Sequence, residues 1–192
     1  MNSEHIDQIK RTLDENSFCL LSDFASPDQL PSWSEIIQSV NAAAQVKPDF
    51  HVNSPLVERQ INSTIRRGVG YFYSFFTADD EHVYPKLKPL TDELEANDLP
   101  FFGSSIFMNL FTEDDYASIH KDDWSNNLYI QCEGTTTWMF YTDGDSDKII
   151  DSKKLNPGDA IFFTGDVYHS VTADTPRASV VLRMVRKELL DK

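Results

Sequence analysis

Apolar positions change their spacing near residue 100. Before that point they recur at helical intervals: Ile6, Ile9 and Leu13 line one face of a short amphipathic helix over 3–14, with Ser3 placed to cap it. The stretch SFCLLSDF (17–24) predicts a strand. SPDQLPSWSEIIQSVNAAAQ (26–45) predicts a second helix, interrupted near Pro31 and ended before Pro48, because proline lacks an N–H and clashes with the preceding turn. An aromatic run, VGYFYSFFT (69–77), predicts another strand, and YPKLKPLTDELEAND (84–98) a proline-broken loop entering a helix.

From Phe101 onward, short apolar or alternating runs are separated by turn residues: 102–111, 116–122, 127–133, 135–142, 147–151, 159–164, 167–172 and 177–185. That cadence belongs to an all-β sandwich or barrel. Asp143-Gly144 suits a tight hairpin, and Pro157-Gly158 suits the turn ahead of a buried strand, DAIFFTG. No internal repeat, low-complexity run or linker divides the chain. The expectation is a single domain over 1–192, mainly β with α: residues 1–100 embellish with helices and strands, and 101–186 form the β core, one face of which the helices cover.

Composition narrows the partners more than the fold. The 192 residues include 40% hydrophobic side chains and 13 Phe, enough for a real core and against wholesale disorder. Thirty-one acidic against 17 basic side chains give a formal charge of −14, which repels nucleic-acid phosphates and anionic lipid head groups. No nucleic-acid or membrane partner is expected. A small anionic ligand is not excluded, since salt screens distant surface charge and a few local arginines decide. Cys19 and Cys132 lack zinc-site spacing and disulfide density, so both read as reduced and structural. The first residues carry no signal-like apolar run, and no stretch of about 18 apolar residues occurs, so a soluble, cytoplasmic protein is expected.

Against this background ASIHKDDWSNN (117–127) stands out. On a strand, residues i and i+2 share a face, so His120 and Asp122 can aim at one ion if 116–122 is a strand, whose end would leave the ion at an accessible mouth. Asp123 falls on the opposite face by parity. A third ligand is available in VYHSV (167–171), where His169 sits mid-strand. Two histidines and one carboxylate compose the facial triad that holds non-haem Fe(II) with three positions open. His5, His51 and His82 have no partner at metal spacing and read as surface or structural.

These motifs in order, IHKDDWSNNLYIQCEGTTTWMFY, LNPGDAIFFTGDVYHSV and TPRASVVLRM, resemble the core of an Fe(II)/2-oxoglutarate-dependent dioxygenase with the double-stranded β-helix, a cupin-type or jelly-roll barrel. The helix-strand-helix opening is similar too, so the likeness spans most of the chain. His169 lies 169 − 120 = 49 residues beyond His120, and Arg177 lies 177 − 169 = 8 beyond His169, slightly short for many relatives. The resemblance implies His120, Asp122 and His169 as iron ligands and 2-oxoglutarate as cosubstrate with O2. In the Jumonji-C and asparaginyl-hydroxylase-like branch a lysine two residues after the glycine grips the far carboxylate of the cosubstrate. That position here is Thr136, which argues against a histone-demethylase-like reading. The grip passes to Arg177, as in prolyl-hydroxylase-like branches, with Ser179 as an added hydroxyl donor and Asn127 and Tyr129 facing the same pocket.

Alternation in RASVVLRM supports this. Ala178, Val180, Leu182 and Met184 make an apolar face, which turns Arg177, Ser179, Val181 and Arg183 into the barrel, where an arginine needs an anion. Arg183 substitutes for Arg177 if the register is shifted. Trp138 reads as packing and Trp124 as a rim residue.

The implied reaction is hydroxylation of an unactivated C–H in an amino acid, a peptide or protein side chain, or a small metabolite, with release of succinate and CO2. Retention of Asp122, which related halogenases replace with a small residue, argues against halogenation. Two other readings stay open: a cupin-type metalloenzyme that does not use 2-oxoglutarate, and an inactive barrel serving as a binding module.

Overall fold

A computed structural model describes residues 1–38, 69–74, 86–99, 101–109, 116–145 and 148–185. Helix α1 (Ser3–Glu15) packs Ile6 and Ile9 inward. Its cap is Asn2 rather than Ser3: the Asn2 side chain accepts the His5 N–H at 2.9 Å, one residue earlier than the expected cap. Strand β1 (Phe18–Leu21) follows. The expected helix over 26–45 is a three-residue 3-10 turn at Pro27–Gln29, an extended break at Pro31 and a helical segment at 33–38. Its remainder, with His51 and His82, lies outside the described residues. Strand β2 (Val69–Ser74) and helix α2 (Lys88–Ala96) complete the first half.

The eight strands of the second half are β3 (Phe101–Asn109), β4 (Tyr116–His120), β5 (Ser125–Glu133), β6 (Thr136–Tyr141), β7 (Ile149–Leu155), β8 (Ala160–Phe163), β9 (Tyr168–Ala173) and β10 (Arg177–Val185). They divide between two antiparallel sheets, alternating except at the β6–β7 pair, which shares one sheet. One has the order β1-β8-β5-β10-β3-β2, the other β4-β9-β6-β7. This is the double-stranded β-helix: β3, β5, β8 and β10 face β4, β6, β7 and β9, while β1 and β2 extend the larger sheet at both edges.

Two cores follow from strand parity. Outside the larger sheet, Leu128, Ile130, Cys132, Ala178, Val180, Leu182 and Met184 pack against Ile6 and Ile9 of α1 and Leu90 and Leu94 of α2. Between the sheets, Tyr129, Val181, Ile161 and Phe163 meet Trp138, Phe140, Leu155 and Val171. The alternation expected of 177–184 therefore holds residue by residue, because one face of β10 is claimed by helices and the other by the barrel.

The turns divide. Pro157-Gly158 forms the expected turn: the Asp159 N–H donates to the Asn156 carbonyl at 3.0 Å, and Gly158 takes φ +99, a conformation that favours glycine. Asp143-Gly144 does not make a two-residue hairpin. Thr142 pairs with Lys148 instead, and Asp143 accepts the Asp145 N–H, so a longer loop joins β6 to β7. Among the described residues no helix is long and apolar enough to cross a membrane.

Candidate functional site

β4 and β9 are neighbours in the smaller sheet, and His120 and His169 are direct register partners. Their rings lie 4.4 Å apart between centroids. Strand β4 ends at His120, so Asp122 is not on it: the chain has already left the sheet and bends towards Trp124. The carboxylate reaches the histidines from the start of that turn, not by strand parity as expected. One ligand atom from each of His120, Asp122 and His169 can be chosen so that all lie within 4.8 Å of one another. Ligands bound at about 2.1 Å to one ion are at most about 4.2 Å apart, so a small side-chain rotation closes the set around a metal. Two neutral imidazoles and one carboxylate on one side of an ion are the donor set that suits iron with open positions.

His169 is almost wholly buried, against Phe163 at 4.3 Å and Trp138 at 5.6 Å between ring centroids. Its Nδ1 lies 3.0 Å from the Val167 carbonyl, which can only accept, so Nδ1 carries the proton and Nε2 offers its lone pair. Burial, and then the charge of His120, push the His169 pKa down to about 3, which keeps the ring neutral as a ligand must be. Burial raises the Asp122 carboxyl, an effect opposed by His120 and by Arg183. A bound cation would favour the carboxylate further. Asp123 pairs with Lys121 at 2.9 Å; it too lies beyond the strand, so the turn and not parity places it.

The inward residues of β5 and β10 pair as rungs: Gln131 with Ser179, Tyr129 with Val181, Asn127 with Arg183. The rung at Asn127 and Arg183 serves the metal end. Asn127 Nδ2 donates to Asp122 Oδ2 at 2.7 Å, and the Arg183 guanidinium lies over the half-exposed Trp124 ring at 5.4 Å. The rung at Gln131 and Ser179 carries a buried polar chain. Arg177 Nη1 donates to Ser179 Oγ at 3.1 Å, and Ser179 Oγ donates to Gln131 Oε1 at 2.9 Å. Thr136 Oγ1 donates to the same oxygen at 3.2 Å and accepts from Trp138 Nε1 at 3.1 Å. The Gln131 amide nitrogen closes on the carbonyls of Glu133 and Gly134.

Arg177, Ser179 and Thr136 are thus brought together inside the barrel, with Arg177 4% exposed. Ser179 differs in role from the donor expected of it: its single O–H is directed to Gln131, so it receives from Arg177 and orients that guanidinium. Tyr129 stacks with Phe163 and meets Trp138 edge-on at 4.6 Å, so it helps fill the barrel. Gln131 and Ser125 were missed in the sequence. The signal was there: both share inward parity with Asn127 and Tyr129, and a polar side chain on a strand buried on both faces is informative.

No protein-family profile and no curated protein matches the sequence. Solved structures do match. A prolyl hydroxylase from Trichoplax adhaerens, in complex with a hypoxia inducible factor oxygen degradation domain peptide, superposes with a TM-score of 0.61 at 13% identity, over 98% of this chain and 93% of that one. A Pseudomonas putida prolyl-4-hydroxylase gives 0.57 at 14% identity over 95% and 99%. The Escherichia coli ribosomal oxygenase YcfD gives 0.56 at 14% identity over 91% of this chain, which spans about half the length of that protein. The α-ketoglutarate-dependent epimerase SnoN of nogalamycin biosynthesis has the same fold at 11% identity. The chain therefore has the double-stranded β-helix fold of 2-oxoglutarate-dependent oxygenases.

Proposed function

We propose that this protein is an Fe(II)- and 2-oxoglutarate-dependent dioxygenase that hydroxylates a C–H bond of an amino acid, a peptide or protein side chain, or a small metabolite. The observation that carries the reading is the convergence of His120, Asp122 and His169 at one end of the barrel, with a buried arginine on the adjoining sheet. Iron and 2-oxoglutarate, when bound, supply the oxidising chemistry: loss of CO2 and formation of succinate are coupled to insertion of an oxygen atom from O2 into substrate.

The chain's own part is binding, orientation and exclusion of water. His120, Asp122 and His169 hold the metal, His169 in a tautomer fixed by Val167. Arg177, braced by Ser179 and Gln131, holds the far carboxylate of the cosubstrate. Phe163, Trp138 and Tyr129 form a dry wall behind His169. The similar structures include both hydroxylases and an epimerase; hydroxylation is the reading taken here because the two prolyl hydroxylases match over nearly the whole of both chains.

The test is anaerobic titration of the Fe(II) protein with 2-oxoglutarate, watching for the weak visible charge-transfer band of the chelate. The expected result is a saturable band, and succinate release once oxygen is admitted. Metal bound with no band at any cosubstrate concentration overturns the assignment.

A further inference from the structure

We propose that Asn127 is a positioning residue that makes Asp122 a one-oxygen ligand. The inference rests on the metal reading above and adds a role for a side chain that touches neither the ion nor, in this arrangement, the cosubstrate.

Every polar atom of the Asn127 amide is committed. Nδ2 donates to Asp122 Oδ2 at 2.7 Å and, more weakly, to the Ser125 carbonyl at 3.4 Å. Oδ1 accepts from the Ser125 hydroxyl at 3.1 Å. The residue is 1% exposed and Ser125 is fully buried, so water does not compete. The Asp122 carboxylate, which can only accept, decides which way the amide faces, and the Ser125 hydroxyl supports that orientation by donating to Oδ1. Rotated by half a turn, the amide would present an oxygen to the Asp122 carboxylate and an N–H2 to Ser125, losing a charge-assisted hydrogen bond and creating a repulsion. A further tie, from the Ser125 N–H to the Asp122 carbonyl at 3.1 Å, fixes the turn that carries the ligand.

The consequence lies in the two carboxylate oxygens. Oδ2 is engaged by Asn127, whereas Oδ1 is the oxygen 3.9 Å from His120 Nε2. An untethered carboxylate can chelate an ion through both oxygens and would then take a position that the site needs. With Oδ2 held back, the triad donates three atoms, leaving two positions for a chelating 2-oxo acid and one for O2. The same saturation argues against the cosubstrate contact that resemblance assigns to Asn127, since its N–H groups are already used. The chain Ser125 to Asn127 to Asp122 is the outer layer that orients a metal ligand.

Co(II) is the probe, because its visible absorption reports coordination number and its affinity is measured against a chelator without any turnover. Wild type is compared with Asn127→Ala, Ser125→Ala and Ser125→Thr. Expected are a Co(II) affinity about 10- to 100-fold lower for Asn127→Ala with an altered Co(II) spectrum, a smaller loss in the same direction for Ser125→Ala, and recovery in Ser125→Thr, which keeps the hydroxyl. Wild-type affinity and spectrum in Asn127→Ala overturn the inference, as does unchanged metal binding combined with weakened 2-oxoglutarate binding. If Asn127→Ala does not fold, the serine pair decides: Ser125→Ala within twofold of wild type overturns it. Failure of wild type to bind Co(II) at all strikes the metal reading itself, which separates the two failures.

Discussion

Two polar rungs on the same pair of strands, separated by Tyr129 and Val181, have been built in opposite ways. At Gln131 and Ser179 an amide, two hydroxyls, an indole N–H and one guanidinium nitrogen form a single buried chain before any ligand arrives. At Asn127 and Arg183 the hydrogen bonds run outward, to Asp122, beside the half-exposed Trp124. A buried chain of hydrogen bonds orders its own members in advance, whereas bonds that run outward lend their order to Asp122. On the proposed reading, the difference teaches that preorganisation lies with the arginine that would meet the cosubstrate, while the triad keeps a small adjustment to make on binding.

The sharpest way to test that division is to break each end alone. His169→Ala should abolish Fe(II) binding and reduce 2-oxoglutarate turnover to background. Arg177→Ala should leave metal affinity within about twofold while weakening 2-oxoglutarate by about 2 kcal/mol or more, the scale of a lost charge-assisted hydrogen bond; equilibrium titrations of both ligands distinguish the two. A substitution that cripples both affinities together would mean that the rungs are not separable.

Next in size is Gly134→Ala. Gly134 has φ +67, and an added Cβ would fall on the Pro176 carbonyl oxygen beside Arg177. A loss of about 3 kcal/mol in denaturant unfolding is expected, larger than ordinary backbone strain because both strain and clash apply. Gln131→Leu comes after it. Removing the shared acceptor strands the hydroxyls of Ser179 and Thr136, for a loss of roughly 1–3 kcal/mol, together with a raised KM for 2-oxoglutarate and an unchanged Co(II) spectrum.

The last effect is electrostatic and develops only as pH is lowered. His169 titrates near 3 in the fold and near about 6.5 when unfolded. Between those values the unfolded chain binds more protons, so metal-free protein should lose stability as pH falls from about 6.5, by at most about 1.4 kcal/mol per pH unit. Asp122, raised by burial, acts in the opposite sense: it contributes stability on the acid side that is lost as pH rises through its folded value. Urea midpoints of wild type and His169→Leu against pH should show a flatter acid limb in the variant.

Much of this was legible in the sequence because periodicity and burial agree there. All eight segments from residue 101 onward became strands, and the alternation of β10 placed Arg177, Ser179 and Arg183 inside correctly, since a strand sandwiched between helices and barrel leaves no freedom of face. The misses share a cause. The cap at Asn2, the loop at Asp143-Gly144 and the position of Asp122 beyond β4 depend on which backbone groups find partners across the fold, and local spacing does not record that. Gln131 and Ser125 escaped for a related reason: each is defined by the side chain it holds, Ser179 and Thr136 for Gln131 and Asn127 for Ser125, and those pairings form only in the folded barrel.

Direct opposition of His120 and His169 makes strand alignment a ruler for metal chemistry. β9 is measured against β6 along an unbroken ladder from Thr136 with Ala173 to Tyr141 with Tyr168, while the pairing with β4 is interrupted between Ala117 and His120. Length changes in the loop between β6 and β7 should therefore be tolerated by the ion, but one residue inserted between His169 and Ala173 would turn an imidazole outward and erase the centre without unfolding the barrel.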